Sequence, residues 1–245
     1  MAVLLSPDQQ DWVLAELGVL LQLLGDGTFV RGPILLPIGD HFPIPWAPDH
    51  THLATFANQV AHHAGLSDHR IRLEITDGQR YAITGGGARC RRPASAARFG
   101  GVRGKTITFL ATEHIPASEE GVVAGLAHEV AHGFRAIHGL RHPNHDLEEC
   151  LTDITEIYLG FGVFSVNEAY ATLDEGPDRL SPWAKSYLLA AQIIARRMSC
   201  WQTWTLLRHV HTMARKDVKR GLAALRPSAD LWKTLRPAPP QIELS

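Results

Sequence analysis

The chain is poor in the features that most quickly assign a sequence to a class. It has three cysteines in 245 residues, Cys90, Cys150 and Cys200. Their odd, wide spacing excludes a disulfide framework and a CxxC pair, and suits a reducing compartment. Long apolar runs are missing. The best candidate, "WVLAELGVLLQLL", is interrupted by Glu16 and Gln22, so no membrane span or membrane partner is expected. The opening "MAVLLSPDQQDW" lacks the basic n-region of a signal peptide. Charge of one sign is missing too: 24 basic and 25 acidic residues leave a net charge of −1. A partner selected by charge alone, such as nucleic acid, is not the expectation. No internal repeat is visible. A soluble cytoplasmic protein, as one large domain or two small ones, is the starting expectation.

What is present is histidine, 14 residues of it, and a clear succession of helix and strand signals. Ser6, Pro7 and Asp8 open a helix that Gly25 and Gly27 stop. A second helix is expected over about residues 51–64. In "RIRLEITDGQRYAIT", Ile71, Leu73 and Ile75 alternate, Asp77-Gly78 turns, and Tyr81 and Ile83 alternate back, which predicts a hairpin. "GGGARCRRPASAARFGGVRG" reads as a basic loop of small residues, and "KTITFLATEHI" as a strand. Ser118 caps a long helix with Glu119 and Glu120 in its first turn and Gly139 at its end. A further helix runs through "NHDLEECLTDITEIYLGFGVF". After Thr172, "LDEGPDRLSP" is a hinge or boundary. The rest reads as helix to a frayed tail, "RPAPPQIELS". The predicted fold class is α+β: residues 1–172 with a small, mainly antiparallel sheet, and a helical region, 173–245, packing on them.

His128-Glu129-Val130-Ala131-His132 is an HExxH motif. Helix positions four apart share a face, so both imidazoles can hold one ion. Zinc suits nitrogen and carboxylate ligands and leaves a position for water. Glu129, one step round the helix, can act on that water as general base without being a ligand. A chain rich in histidine raises the chance of a fortuitous HExxH. The well-capped helix, the preceding strand and the acidic helix that follows argue against chance.

The third ligand has more than one candidate. HEVAHGFRAIH matches the outer spacing of the metzincin pattern HExxHxxGxxH, which would make His138 a ligand. Arg135, however, stands where that pattern has its turning glycine. If the helix continues, His138 lies about 240° round the axis from His132 and suits the helix end instead. The other candidate is ExxxD, Glu149 and Asp153 four apart on the next helix. Glu149 can supply a carboxylate ligand, and Asp153 can accept the free ring N–H of a ligating histidine. Asp153 as ligand with Glu149 in support is an alternative. Without HExxH upstream, the same run would read as a solvated acidic face on a helix burying Leu151, Ile154 and Tyr158.

HExxH followed by ExxxD on the next helix resembles the gluzincin class of zinc metallopeptidases, which includes thermolysin-like enzymes. The resemblance covers roughly Lys105 to Gly162. Flanking segments, "PILLPIGDHFPIPW" and "TDITEIYLGFGVFSVN", are similar to bacterial HExxH proteins without an assigned substrate. The resemblance implies a zincin-like fold whose edge strand, here "TITFLATEH", lays out an extended peptide. It also implies Zn2+ as cofactor and a peptide or protein as substrate.

Other signals carry less. "FGGVRGKT" has Phe99 where a P-loop needs glycine, and GKT leads into a strand. The acid-free stretch from Arg89 to Lys105 reads first as a solvated loop. So does the basic face around Arg215, Lys216, Lys219 and Arg220. His62 and His63 are adjacent and cannot face one ion from a helix. Cys150 reads as a small buried residue. A peptidase needs an electrophile for the tetrahedral intermediate. Tyr170, Tyr187, His209 and His211 are candidates, whereas Tyr158 should face away from Glu149.

The leading expectation is zinc-dependent peptide-bond hydrolysis, with His128, His132 and Glu149 binding the metal, Asp153 orienting a histidine and Glu129 activating water. A second is a zinc-binding protein of the same fold with one dedicated partner or a sensor role. A third is a nucleic-acid-binding scaffold using the basic 89–105 loop, which predicts steeply salt-dependent binding.

Overall fold

Ser6 opens the first helix, α1 (Pro7–Leu24), with a capping box: its hydroxyl accepts from Gln9 N–H, and Gln9 Oε1 accepts from Ser6 N–H. The computed structural model describes residues 5–76, 97–113, 115–172, 179–226, 231 and 235. After α1 comes α2 (His50–His63), capped by Asp49. Three strands follow: β1 (Arg70–Ile75), β2 (Ala97–Arg103) and β3 (Thr106–Ala111).

The sheet order is β1-β3-β2. β3 runs parallel to β1, with Arg70 opposite Thr106, and antiparallel to β2, with Phe99 opposite Phe109. Two expectations are corrected here. The sheet is mixed rather than mainly antiparallel, and β3, the strand before the HExxH helix, is central rather than an edge. The cause is residues 97–103, expected as loop, which pair along β3. Their alternation is masked by two glycines between Phe99 and Val102. Those glycines form a bulge, where Gly101 takes a φ of +129°, open to glycine at little cost. The second limb of the expected hairpin, with Tyr81 and Ile83, lies outside the described residues. So do Cys90 and most of the basic loop.

Next comes α3 (Glu119–Ile137), the HExxH helix. Ser118 caps it by accepting from Gly121 N–H. It closes at Gly139 (φ +67°), where Leu140 N–H returns to Arg135 O at 2.8 Å. α4 (His145–Tyr158) starts on Asn144, which accepts from Leu147 N–H. A turn at Leu159 and Gly160 then separates α4 from α5 (Gly162–Thr172), where one helix is expected. The C-terminal stretch, expected as continuous helix, is three: α6 (Pro182–Ala195), α7 (Cys200–Leu207) and α8 (Thr212–Leu225). Ser199 starts α7 afresh through a second capping box, with Gln202.

α3 packs on β2, α2, α4 and α5, and α6 packs on α4, α5 and α8. One buried apolar cluster runs from Val13 to Leu235 and includes residues of α6 to α8. Residues 173–178 of the expected hinge, and the tail 236–245, lie outside the described residues. Among the described residues no helix is long and apolar enough to cross a membrane.

Candidate metal centre

One turn of α3 brings the two HExxH imidazoles together, with ring centroids 4.7 Å apart and planes nearly perpendicular. α4 crosses beside them and supplies Glu149. Its Oε2 stands 3.1 Å from His128 Nε2, and its Oε1 stands 3.2 Å from His132 Nε2. One ligand-type atom from each of the three residues lies within 4.8 Å of the others. Ligand atoms about 2.0–2.1 Å from a tetrahedral zinc stand about 3.3 Å from one another. The two histidine–glutamate distances match that requirement.

Both rings are held from behind by α4. Thr152 donates its hydroxyl to Glu148 O at 2.7 Å, so its Oγ1 is left to accept from His132 Nδ1, 3.1 Å away. His128 Nδ1 stands 3.3 Å from Asp153 Oδ1, although the two are not aligned for a hydrogen bond. Arg179 Nη1 lies 3.0 Å from His128 Nε2. A guanidinium only donates and a carboxylate only accepts, so His128 Nε2 offers a lone pair to Arg179 Nη1 in one tautomer and an N–H to Glu149 Oε2 in the other. Thr152 was not recognisable from its own identity; its position three residues after Glu149 is the only sequence signal. Thr152→Val removes the acceptor behind His132 and is expected to weaken zinc binding about 10- to 100-fold. Chelator competition on the two proteins checks this, and equal affinities would dispose of the orienting role.

The acids of α4 do not form a solvated face. Glu148, Asp153 and Glu156 are all nearly or wholly buried, and the Glu149 side chain is only 14% exposed. Burial opposes ionisation of Glu149, yet the two imidazoles hold its carboxyl well below the usual range. Burial likewise opposes the ionised form of Asp153, but Arg179 and Lys185 hold it down, with Nη2 at 2.7 Å and Nζ at 3.1 Å from Oδ1. Burial pushes Glu156 up to about 7, against Lys185 and His128. Burial works against a charged His132, but Glu148 and Glu149 raise it to about 9, so an entering cation displaces a proton there.

These residues fit a divalent ion. Among the described residues, the buried fixed cations recorded against Glu149, Asp153 and Glu156 are Arg179 and Lys185, while Glu129 acts on His132. A cation held by neutral histidines would add positive charge to this acid-rich cluster. His128 Nδ1 and Glu156 Oε1 are buried without an aligned hydrogen bond, whereas Asp153 Oδ1 is met by the Arg179 and Lys185 cations.

Glu129, expected as the base, is 7% exposed. Its Oε2 accepts from Phe99 N–H of β2 at 2.7 Å. The Phe99 ring lies along the His132 ring, with centroids 6.2 Å apart and planes 18° apart. The strand missed in the sequence thus forms a wall of the cluster.

The remaining candidates fall elsewhere. His138 is the C-cap of α3, with its ring against Phe134, and belongs to neither possible metal-holding group. Arg135 explains why the helix does not turn off early: it is buried and forked onto Glu148, tying α3 to α4. Tyr158 donates to Gly25 O, away from Glu149 as expected. Tyr170 donates to Asp217, and Tyr187 stacks on Trp183. His209 and His211 flank the α7–α8 turn, where Asn167 holds their backbone. None of these four is recorded touching the His128, His132 and Glu149 cluster. The cation that does touch it is Arg179, which carried no motif signal. His62 and His63 bond Ser67 and His41 O instead. Cys150 is half-buried rather than buried. The cavity beside Arg135, about 90 Å³, is lined by none of the three clustered residues.

The fold and cluster together define an α+β protein with a partly buried His–His–Glu constellation able to hold a metal ion. No family model, curated protein or solved structure matches the chain.

Proposed function

We propose that the chain is a zinc-dependent hydrolase of peptide bonds, with His128, His132 and Glu149 as the metal ligands. The observation that carries this is the convergence of both imidazole Nε2 atoms on the two oxygens of Glu149, at 3.1 and 3.2 Å, beside an HExxH glutamate. When bound, zinc supplies Lewis acidity that brings the pKa of water to about 7.

The chain's own residues have separate tasks. Glu129 accepts a proton from the attacking water and returns it to the departing amine. Phe99 N–H keeps the Glu129 carboxylate aimed. Thr152 holds the His132 ring from behind, and Asp153 stands 3.3 Å behind the His128 ring as its charge partner. Arg179 offers a charged donor, Nη1, for the oxygen that gains negative charge. β2 is an edge strand of the described sheet and borders the cluster through Phe99, so its outer edge is the natural support for an extended peptide. The low exposure of His128 and Glu129 favours a narrow substrate range over general proteolysis.

The test is metal content by mass spectrometry, with cleavage of a peptide library, for wild type, His128→Ala and Glu149→Ala. One zinc per wild-type chain, lost in both variants together with cleavage, is expected. Folded wild-type protein that takes up no zinc would refute the reading. Zinc uptake without any cleavage would leave the dedicated-partner role in its place.

A further inference from the structure

Arg179 does more than balance charge. Its Nε donates to Asp153 Oδ2 at 3.1 Å, and Nη2 lies 2.7 Å from Asp153 Oδ1. Leu180 N–H donates to the same Oδ2 at 3.1 Å, so backbone and side chain are both anchored to Asp153. The third nitrogen, Nη1, is turned away from Asp153. It lies 3.0 Å from His128 Nε2 and 3.7 Å from Glu149 Oε2. Those two atoms are themselves 3.1 Å apart.

An imidazole nitrogen has one in-plane lone pair. It cannot accept a hydrogen bond from Nη1 and ligate an ion at once. In the tautomer that lets Nε2 accept from Nη1, the ring proton is on Nδ1, and Nε2 and the Glu149 carboxylate are two acceptors held close together, an arrangement that needs a cation against both. Nη1 meets that need with a positively charged N–H group. It stands in for the positive charge that a metal ion would bring to the same two atoms.

We infer that Arg179 and the divalent ion are alternative partners of His128 Nε2 and Glu149 Oε2, so that Arg179 sets the metal concentration at which the site fills. This rests on the metal-site reading above. Uptake requires the planar guanidinium to pivot as one unit, which carries Nη1 off His128 and re-angles the Nε and Nη2 contacts with Asp153. Released, Nη1 faces the space beside the ligands, the position from which it can serve as a donor to substrate. If the arginine-in arrangement is populated at about 90%, apparent metal affinity is lowered about tenfold.

Lys185 provides the control. Its Nζ is 3.1 Å from Asp153 Oδ1, so it brings the same charge to the same carboxylate, but no contact with His128 Nε2 is recorded. Metal-free full-length wild type, Arg179→Met and Lys185→Met are titrated with zinc against a chromophoric chelator. Arg179→Met is expected to bind about tenfold more tightly than wild type, and Lys185→Met to change clearly less. Equal gains in the two variants would reduce the effect to charge and overturn the inference. So would an Arg179→Met affinity equal to or below that of wild type. If wild type takes up zinc no better than His128→Ala, the metal-site reading itself fails, a result separate from these. Should Arg179→Met not fold, wild type labelled with nitrogen-15 in arginine decides the matter. The Arg179 guanidinium resonance should move on one equivalent of zinc, and an unmoved signal counts against the inference.

Discussion

Glu129→Gln should keep one zinc per chain and lose about 10²- to 10⁴-fold in hydrolysis. The substitution keeps shape and size. Its side-chain oxygen can still accept from Phe99 N–H, so the wall formed by β2 stays in place. Metal binding should be unchanged because the facing ligand atoms come from His128, His132 and Glu149. What the amide lacks is a basic oxygen that can hold a proton between attack and departure. Metal content and single-turnover cleavage, measured on the same preparation, separate the two effects. Undiminished cleavage by the variant would show that Glu129 is not the base. Loss of metal together with activity would make it a ligand instead.

Arg135→Met should destabilise the fold by about 3–5 kcal/mol, the usual cost of leaving a buried ion without its partner. Arg135 Nε and Nη2 donate to the two Glu148 oxygens at 3.2 and 3.0 Å. Nη1 donates to Thr155 at 3.2 Å, and Nη2 also reaches Leu140 O at 2.6 Å. Both side chains are almost fully buried. Without the arginine, Glu148 keeps the backbone N–H of His142 as a close donor, at 2.8 Å. Denaturant unfolding measures the loss, and Arg135→Met with Glu148→Leu should recover much of it. A single variant as stable as wild type would show that the pair does not tie α3 to α4.

The same pair predicts a pH dependence. Burial raises the Glu148 carboxyl, but His132, Arg135 and His142 N–H outweigh it and hold the group at about 2, against an ordinary 4.5. A depressed carboxylate stabilises the fold fully above its unfolded pKa, and that stabilisation is lost as pH falls through the folded value. The deficit of Arg135→Met should therefore be steady above the ordinary glutamate range and shrink toward pH 2.

Much of the centre was legible because it is built on helix periodicity. His128 and His132, and Glu149 and Asp153, are pairs four apart, and a helix puts such pairs on one face whatever surrounds it. The caps at Ser6, Ser118 and Asn144 are equally local. Gly100 and Gly101 hid β2, because a bulged strand loses the alternation by which strands are read. That omission also turned β3 from a central strand into an expected edge.

The sequence by itself determined which residues share a helix face, since that follows from backbone geometry over a single turn. It could also demote His138, because Arg135 replaces the glycine that would turn the chain. Tertiary structure alone decided which faces meet. The crossing of α4 on α3 sets Glu149 against both imidazoles, and sends Glu148 to Arg135 instead. Packing of the chain after residue 178 delivers Arg179 to His128 across 51 positions. Contacts of that kind depend on the whole core closing around buried charge. No spacing rule encodes them, and so the arginine at the site became visible only in the fold.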